Sequence, residues 1–120
     1  MKRVLAVDDS VSMRELVRAT LVDAGYEVVG AEDGHRAYAA ARAARFDLVL
    51  SDVNMPSMDG IGLVEKLRAL PDYRLVPILM LTTESSAEMK GRARAAGATG
   101  WIVKPFDPER LLGAVARVLG

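Results

Sequence analysis

Three aspartates and one lysine stand where short apolar runs stop. Val4 to Val7 runs into Asp8 and Asp9, Leu48 to Leu50 is followed closely by Asp52, Val76 to Leu81 runs into Thr82 and Thr83, and Trp101 to Val103 into Lys104. Carboxylates with no histidine or cysteine beside them form an all-oxygen donor set, which suits a hard cation such as Mg²⁺ or Mn²⁺. Brought together, they repel: a pair ~4 Å apart at an effective dielectric of ~20 costs about 4 kcal/mol. Protonation or a bound cation relieves that repulsion. Mg²⁺ keeps waters and commonly shares its shell with a phosphate. Lys104 offers a compact positive charge for a phosphoryl oxygen, and Thr82 offers a hydroxyl. An aspartate can itself be the nucleophile and become an aspartyl phosphate, with metal and lysine offsetting charge in the transition state. The set therefore suits phosphoryl transfer onto a carboxylate.

These residues meet only if the chain brings the ends of four strands to one edge, and the order of elements does that. Val4 to Val7 reads as a strand buried on both faces. Met13, Leu16, Val17 and Leu21 recur at helical spacing; Ser12 with Glu15 reads as a capping box, and Gly25 as the stop. Tyr26 to Ala31 is β-prone. Gly34 to Ala44 is alanine-rich and helical, with Ala37, Tyr38 and Ala41 on one face. After the strand ending at Asp52, a turn-rich segment from Asn54 to Gly60 leads to a helix marked by Leu63, Val64, Leu67 and Leu70. Ser85 with Glu88 reads as a second capping box, on a helix closed by Gly97. That fourth helix has the weakest apolar face: Met89 and small alanines, with Gly91 inside. Asp107 is an N-cap before a first-turn Pro108, and Leu111, Leu112, Val115 and Val118 form the last stripe.

Five βα repeats at this spacing imply an α/β fold, a doubly wound five-stranded parallel sheet with helices on both faces. In the strand order 2-1-3-4-5 the switch point falls between the first and third strands, and ligands bind outside the carboxyl ends of such strands. Those two strands deliver Asp8, Asp9 and Asp52. Each residue alone has a plainer reading: helix caps for Asp8 and Asp9, a turn acid for Asp52, a solvated charge for Lys104, a strand-end hydroxyl for Thr82. Only their shared sheet edge joins them into a site.

At 120 residues and 51% apolar content the chain is one domain with material for a core. Sixteen basic residues balance sixteen acidic ones, which argues against a general nucleic-acid binder. No cysteine is present, so disulfide, thiolate and Cys-based zinc chemistry are excluded. No apolar run is long enough to cross a bilayer or to form a signal-peptide core. The expectation is a soluble cytoplasmic domain over residues 1–120, without an effector domain or membrane insertion. His35, the only histidine, reads as an exposed helix-start residue.

Four separated stretches carry a family resemblance: Val7-Asp8-Asp9-Ser10 with Met13-Arg14, then Asp52 to Gly60, Leu81-Thr82, and Trp101 to Phe106. Over its whole length the chain resembles the receiver domain of two-component response regulators, of the stand-alone CheY type. The resemblance implies a flavodoxin-like fold and a Mg²⁺-dependent reaction in which Asp52 accepts a phosphoryl group. Asp9 and Asp52 would ligate the ion by carboxylate, Asp8 mostly through water, and Asn54 through its backbone carbonyl. Lys104 would pair with the phosphoryl group, and the Lys104–Pro105 bond would be cis. Thr82 and Trp101 would be the switch pair, Trp101 standing where the family more often has Tyr, Phe or His. Asn54 and Glu84 would tune dephosphorylation. Phosphohistidine on a sensor histidine kinase or phosphotransfer domain, or a small acyl phosphate, would be the donor. The output would be a downstream protein, a motor switch or another effector, reached by a monomer through its fourth helix, fifth strand and fifth helix. It would act as a signalling switch, catalysing only its own phosphorylation and dephosphorylation.

Three other functions fit less of the sequence. A haloacid-dehalogenase-type enzyme would carry a second carboxylate two residues after its nucleophile, where Asn54 stands. A flavodoxin-like cofactor carrier needs a phosphate-cradling loop after the first strand, where Asp8 and Asp9 repel phosphate. A phosphorylation-independent interaction module would not require the acidic and lysine set.

Overall fold

Runs rich in Val, Leu and Ile become the five strands of the computed structural model, which describes residues 1–84 and 86–119. The strands are β1 (Arg3–Val7), β2 (Glu27–Ala31), β3 (Leu48–Asp52), β4 (Ile78–Thr82) and β5 (Gly100–Val103). They form one parallel sheet, as the alternation of elements predicts, in the order β2-β1-β3-β4-β5 that the family resemblance implies. Val7 sits opposite Ser51, Asp52 opposite Leu81, and Thr82 opposite Val103. The polar residues at the strand ends therefore lie side by side.

Successive side chains of a strand point to opposite faces, and the helices divide accordingly. Leu5, Val7, Val49, Ile78 and Met80 form a core with α2 (Gly34–Ala43), α3 (Gly60–Arg68) and α4 (Ala87–Ala96). Val4, Ala6, Leu48, Leu50, Leu79, Leu81 and Ile102 form another with α1 (Val11–Asp23) and α5 (Pro108–Leu119). Burying one such side chain contributes about 1.5–3 kcal/mol. The helices share this support unequally: α3 buries Ile61, Leu63, Val64 and Leu67, whereas α4 buries only Met89 and Ala93.

The helix ends refine the expectations. Ser10, not Ser12, caps α1: its hydroxyl accepts the Met13 amide. Ser12 lies inside the first turn, and Glu15, rather than reaching back to a cap, pairs with Arg18. Asp33 and Asp59 cap α2 and α3. Ser86 caps α4 through the Met89 amide, while Ser85, the residue expected there, lies outside the described residues. Gly25 and Gly97, both at positive φ, follow α1 and α4 as expected, and the Asp107 carboxylate accepts the Arg110 amide at the start of α5. A short 3₁₀ turn at Pro71–Tyr73 leads from α3 toward β4. Beside it the half-buried Arg68 donates to three carbonyls, of Tyr73, Val76 and Gly97. It thereby ties the end of α4 to the entrance of β4.

Gly60 is where the fold closes on the site. Its amide donates to the Val53 carbonyl (2.8 Å), and a Cβ built on it would stand 2.2 Å from the Asp52 carbonyl oxygen and 2.7 Å from Met80 Cε. The start of α3 thus rests directly on the backbone of Asp52, a close approach that only glycine allows. Gly60→Ala is expected to lower stability by about 2–3 kcal/mol, the cost of an overpacked contact against backbone, measured by urea unfolding. An unchanged midpoint would show that the contact yields freely.

Candidate functional site

Asp8 follows β1 directly, and Asp52 is the last residue of β3. β1 and β3 pair side by side up to Val7 and Ser51, so the residues that follow, Asp8 and Asp52, emerge next to each other. Asp8 is 2% exposed and Asp52 7%, while Asp9 faces solvent. One carboxylate oxygen from each of Asp8, Asp9 and Asp52 lies within 4.8 Å of the others. Lys104, from the end of β5, reaches into the same place: its Nζ is 3.3 Å from Asp8 Oδ2 and 3.2 Å from Asp52 Oδ1. The Lys104 amide donates to the Thr82 carbonyl (2.7 Å), which fixes the root of the side chain, and the Lys104–Pro105 bond is cis.

The electrostatics follow from this geometry. Burial pushes the Asp52 carboxyl above its ordinary value, Lys104 pulls it down, Asp8 pushes it up again, and hydrogen bonds from Lys104 and the Asn54 backbone lower it. Burial dominates. Asp8 is held differently: Oδ1 accepts the Ser10 amide (2.9 Å) while Oδ2 faces Lys104. A single ammonium thus stands between two buried carboxylates, with a third beside them in solvent. All the side-chain donors are oxygens at short mutual range, and one face of the cluster is open through Asp9. That set fits a hard divalent cation held partly by water, Mg²⁺ or Mn²⁺ alike.

The other expected residues surround the cluster without all pointing to it. Thr82 is fully buried, and its hydroxyl is engaged by the next loop, accepting the Glu84 amide (2.9 Å) and facing the Glu84 carbonyl (3.1 Å). Asn54 and Glu84 are exposed, and the Glu84 carboxylate accepts from the Ser86 hydroxyl. Trp101 on the edge strand β5 is half-buried against the core. Lys90 Nζ and Arg94 Cζ of α4 lie 5.2 and 5.3 Å from its ring centroid, within cation–π range. Phe106 packs against the α1/α5 core, and His35 is exposed in the first turn of α2. The sequence reading assigned no role to Ser10 or Gly60, which hold Asp8 and Asp52 from behind. Their signals were their places in the two stretches that carry the family resemblance, a serine two residues after an acid at a strand end and a glycine opening a helix. A depression of about 660 Å³ lies at the opposite edge of the sheet, beside Phe46, Tyr73 and Leu75; no site residue lines it.

A carboxyl raised by burial is harder to ionise in the folded chain than in the unfolded one. Asp52 therefore favours folding below its unfolded value near 3.8 and works against it as pH rises through the higher folded value. Asp52→Asn, which keeps the shape and removes the charge, is expected to raise the melting temperature at neutral pH. The gain should shrink on acidification and vanish below pH 3.8. A scanning-calorimetry series over pH checks this; a gain independent of pH would mean that Asp52 carries no buried charge.

Comparison with known proteins gives the family of the fold. The response regulator receiver domain family matches residues 4–116. Chemotaxis protein CheY1 of Helicobacter pylori is 41% identical, the match covering 98% of this chain and 97% of the relative. The chemotaxis response regulator CheY4 of Vibrio cholerae superposes with a TM-score of 0.96 at 57% identity, covering 98% of each chain. The receiver domain of the sensor histidine kinase PA1611 of Pseudomonas aeruginosa, solved with a magnesium ion coordinated in its active site cleft, superposes at 0.92 with 29% identity, over 99% of this chain and 98% of that one. With the receiver family spanning nearly all of its length and CheY proteins among its relatives, the chain belongs to the response regulator receiver domains and is homologous to the CheY chemotaxis proteins.

Proposed function

We propose that Asp52 accepts a phosphoryl group from the phosphohistidine of a sensor histidine kinase or phosphotransfer domain, or from a small acyl phosphate, in a Mg²⁺-dependent reaction. The observation that carries this reading is the single Lys104 ammonium within 3.3 Å of two buried carboxylates, with a third at the open side. In the transfer, an Asp52 oxygen attacks phosphorus, the phosphorus–nitrogen bond of the donor breaks, and its electron pair returns to the imidazole, leaving an acyl phosphate on Asp52. Bound Mg²⁺, held by Asp9, Asp52 and the Asn54 carbonyl with Asp8 behind a water, would neutralise the phosphoryl oxygens as a Lewis acid. Lys104 supplies the fixed positive charge on the other side of the phosphoryl group. Burial of Asp52 excludes water from the face behind the nucleophile.

Loss of the phosphoryl group is hydrolysis by water entering past Asn54 and Glu84, the exposed residues beside the cluster. Output runs through Thr82. Its hydroxyl exchanges the Glu84 backbone for a phosphoryl oxygen, the loop before α4 is released, and Trp101 leaves its place under Lys90 and Arg94. The face of α4, β5 and α5 then presents a changed surface to a downstream protein, a motor switch or another effector, in chemotaxis-like signalling by a monomeric cytoplasmic regulator. No helix among the described residues is long and apolar enough to cross a membrane.

Incubation with acetyl phosphate and Mg²⁺, followed by trapping and peptide mapping, is expected to place the label on Asp52 alone. Label persisting in Asp52→Asn would refute the assignment. Trp101 is the only tryptophan, so its emission isolates the output step. Beryllofluoride with Mg²⁺ is expected to change its intensity or its quenching by iodide, and Asp52→Asn to abolish the change. A silent tryptophan in the beryllofluoride-bound protein would leave Trp101 a fixed covering of apolar surface.

A further inference from the structure

All the polar groups of Asp8 are engaged, and one partner is a charged side chain from outside the acidic cluster. The Asp8 amide donates to the Ala31 carbonyl of β2 (3.1 Å), Oδ1 accepts the Ser10 amide, and Oδ2 faces Lys104. Its carbonyl accepts from Arg14 Nη1 at 2.6 Å. Arg14 lies one turn into α1, is half-buried, and forms no salt bridge among the described residues. A charged donor 2.6 Å from one backbone oxygen is a directed contact.

That oxygen belongs to the peptide joining Asp8 to Asp9. A peptide unit is planar, so fixing its carbonyl fixes the plane from which both residues depart. The guanidinium contact thereby bears on two of the three carboxylates at once. The route to it is narrow. The Arg14 stem lies across Gly30 of β2, where a Cβ would stand 3.2 Å from Arg14 Cδ and 3.4 Å from Cγ. Gly30 itself is exposed and carries no ligand atom. A shallow groove of about 260 Å³ runs alongside, lined in part by Arg14, Gly30 and Glu32. Loss of the side chain therefore admits water rather than opening a hole in a core.

We propose that Arg14 is a positioning residue for the acidic pocket: it fixes the Asp8–Asp9 peptide so that both carboxylates converge on a divalent cation, with Gly30 as the bare seat its stem requires. The proposal rests on the receiver reading, in which that cation is Mg²⁺. Groups that orient metal ligands typically cost 10–100-fold in metal affinity when removed, and Arg14→Ala also removes a positive charge, which by itself would favour the cation. A net loss of affinity therefore reports geometry and not charge.

The test is Mg²⁺ titration by calorimetry of the full chain and its variants, with melting temperatures alongside. Arg14→Ala is expected to weaken Mg²⁺ binding about tenfold with little change in melting temperature. Arg14→Lys, which restores a donor on a flexible stem, should recover part of the loss. Gly30→Val should weaken binding in the wild-type background and add nothing in the Arg14→Ala background, because it acts by displacing the arginine. Should Arg14→Ala not fold, Arg14→Lys and Gly30→Val still read the same effect. Wild type that binds Mg²⁺ while Arg14→Ala or Gly30→Val binds it equally well overturns the positioning role and leaves the receiver reading intact. Equal losses from Gly30→Val with and without Arg14 also overturn it. Wild type that binds no Mg²⁺ overturns both.

Discussion

Two carboxylates at the ends of neighbouring strands cannot both be charged, buried and unaccompanied. Lys104 makes their company possible, with one ammonium 3.2–3.3 Å from each. The surroundings serve that arrangement. Parallel pairing brings the ends of β1 and β3 together, β4 and the Thr82 carbonyl set the root of the lysine, and Gly60 lets α3 close against the Asp52 backbone. Removing the lysine would leave buried charge uncompensated, a change that typically costs about 3–5 kcal/mol where a buried pair is broken. The balance is still incomplete, because burial keeps the Asp52 carboxyl raised despite the lysine. Three carboxylates facing one ammonium leave the negative charge that would draw a divalent cation to the open side.

Much of this was legible in the chain. Apolar runs ending abruptly in Asp8, Asp52, Thr82 and Lys104 mark strand ends, and the βα alternation orders them in a parallel sheet, so the convergence of Asp8, Asp9, Asp52 and Lys104 follows from sequence and topology together. Local hydrogen bonding was less legible. Ser10 and Ser12 are both acceptable caps by residue type, and the choice falls to Ser10 because the chain turns into α1 immediately after Asp9. The hydroxyl of Thr82 could serve the site or the loop, and backbone groups of Glu84 two residues on capture it. The contacts of Gly60 and Arg14 depend on distances between elements, which no spacing in the sequence encodes.

The two faces of the sheet differ in how firmly they hold their helices. On one face α1 and α5 bury Val17, Leu21, Leu111 and Val115. On the other, α3 is deeply seated while α4 is held by Met89, Ala93 and its ends. Elements with few buried apolar contacts open at the lowest free-energy cost. The region nearest Thr82 and Trp101 is therefore also the one that the rest of the core resists least.

Arg68 gives that weakness a direction. By holding the Gly97 carbonyl together with those of Tyr73 and Val76, it anchors the far end of α4 to the body of the sheet. Among the described residues no side chain grips the near end comparably; there Ser86 caps the first turn and the Glu84 amide donates to the Thr82 hydroxyl. A ten-residue helix fixed at one end is a lever about 15 Å long. A tilt of roughly 10° about its fulcrum at Gly97 carries the first turn through about 3 Å at that length. A displacement of the loop beside Thr82 would act on that free end directly, and the helix would follow it as a rigid rod about Gly97, with no need to melt.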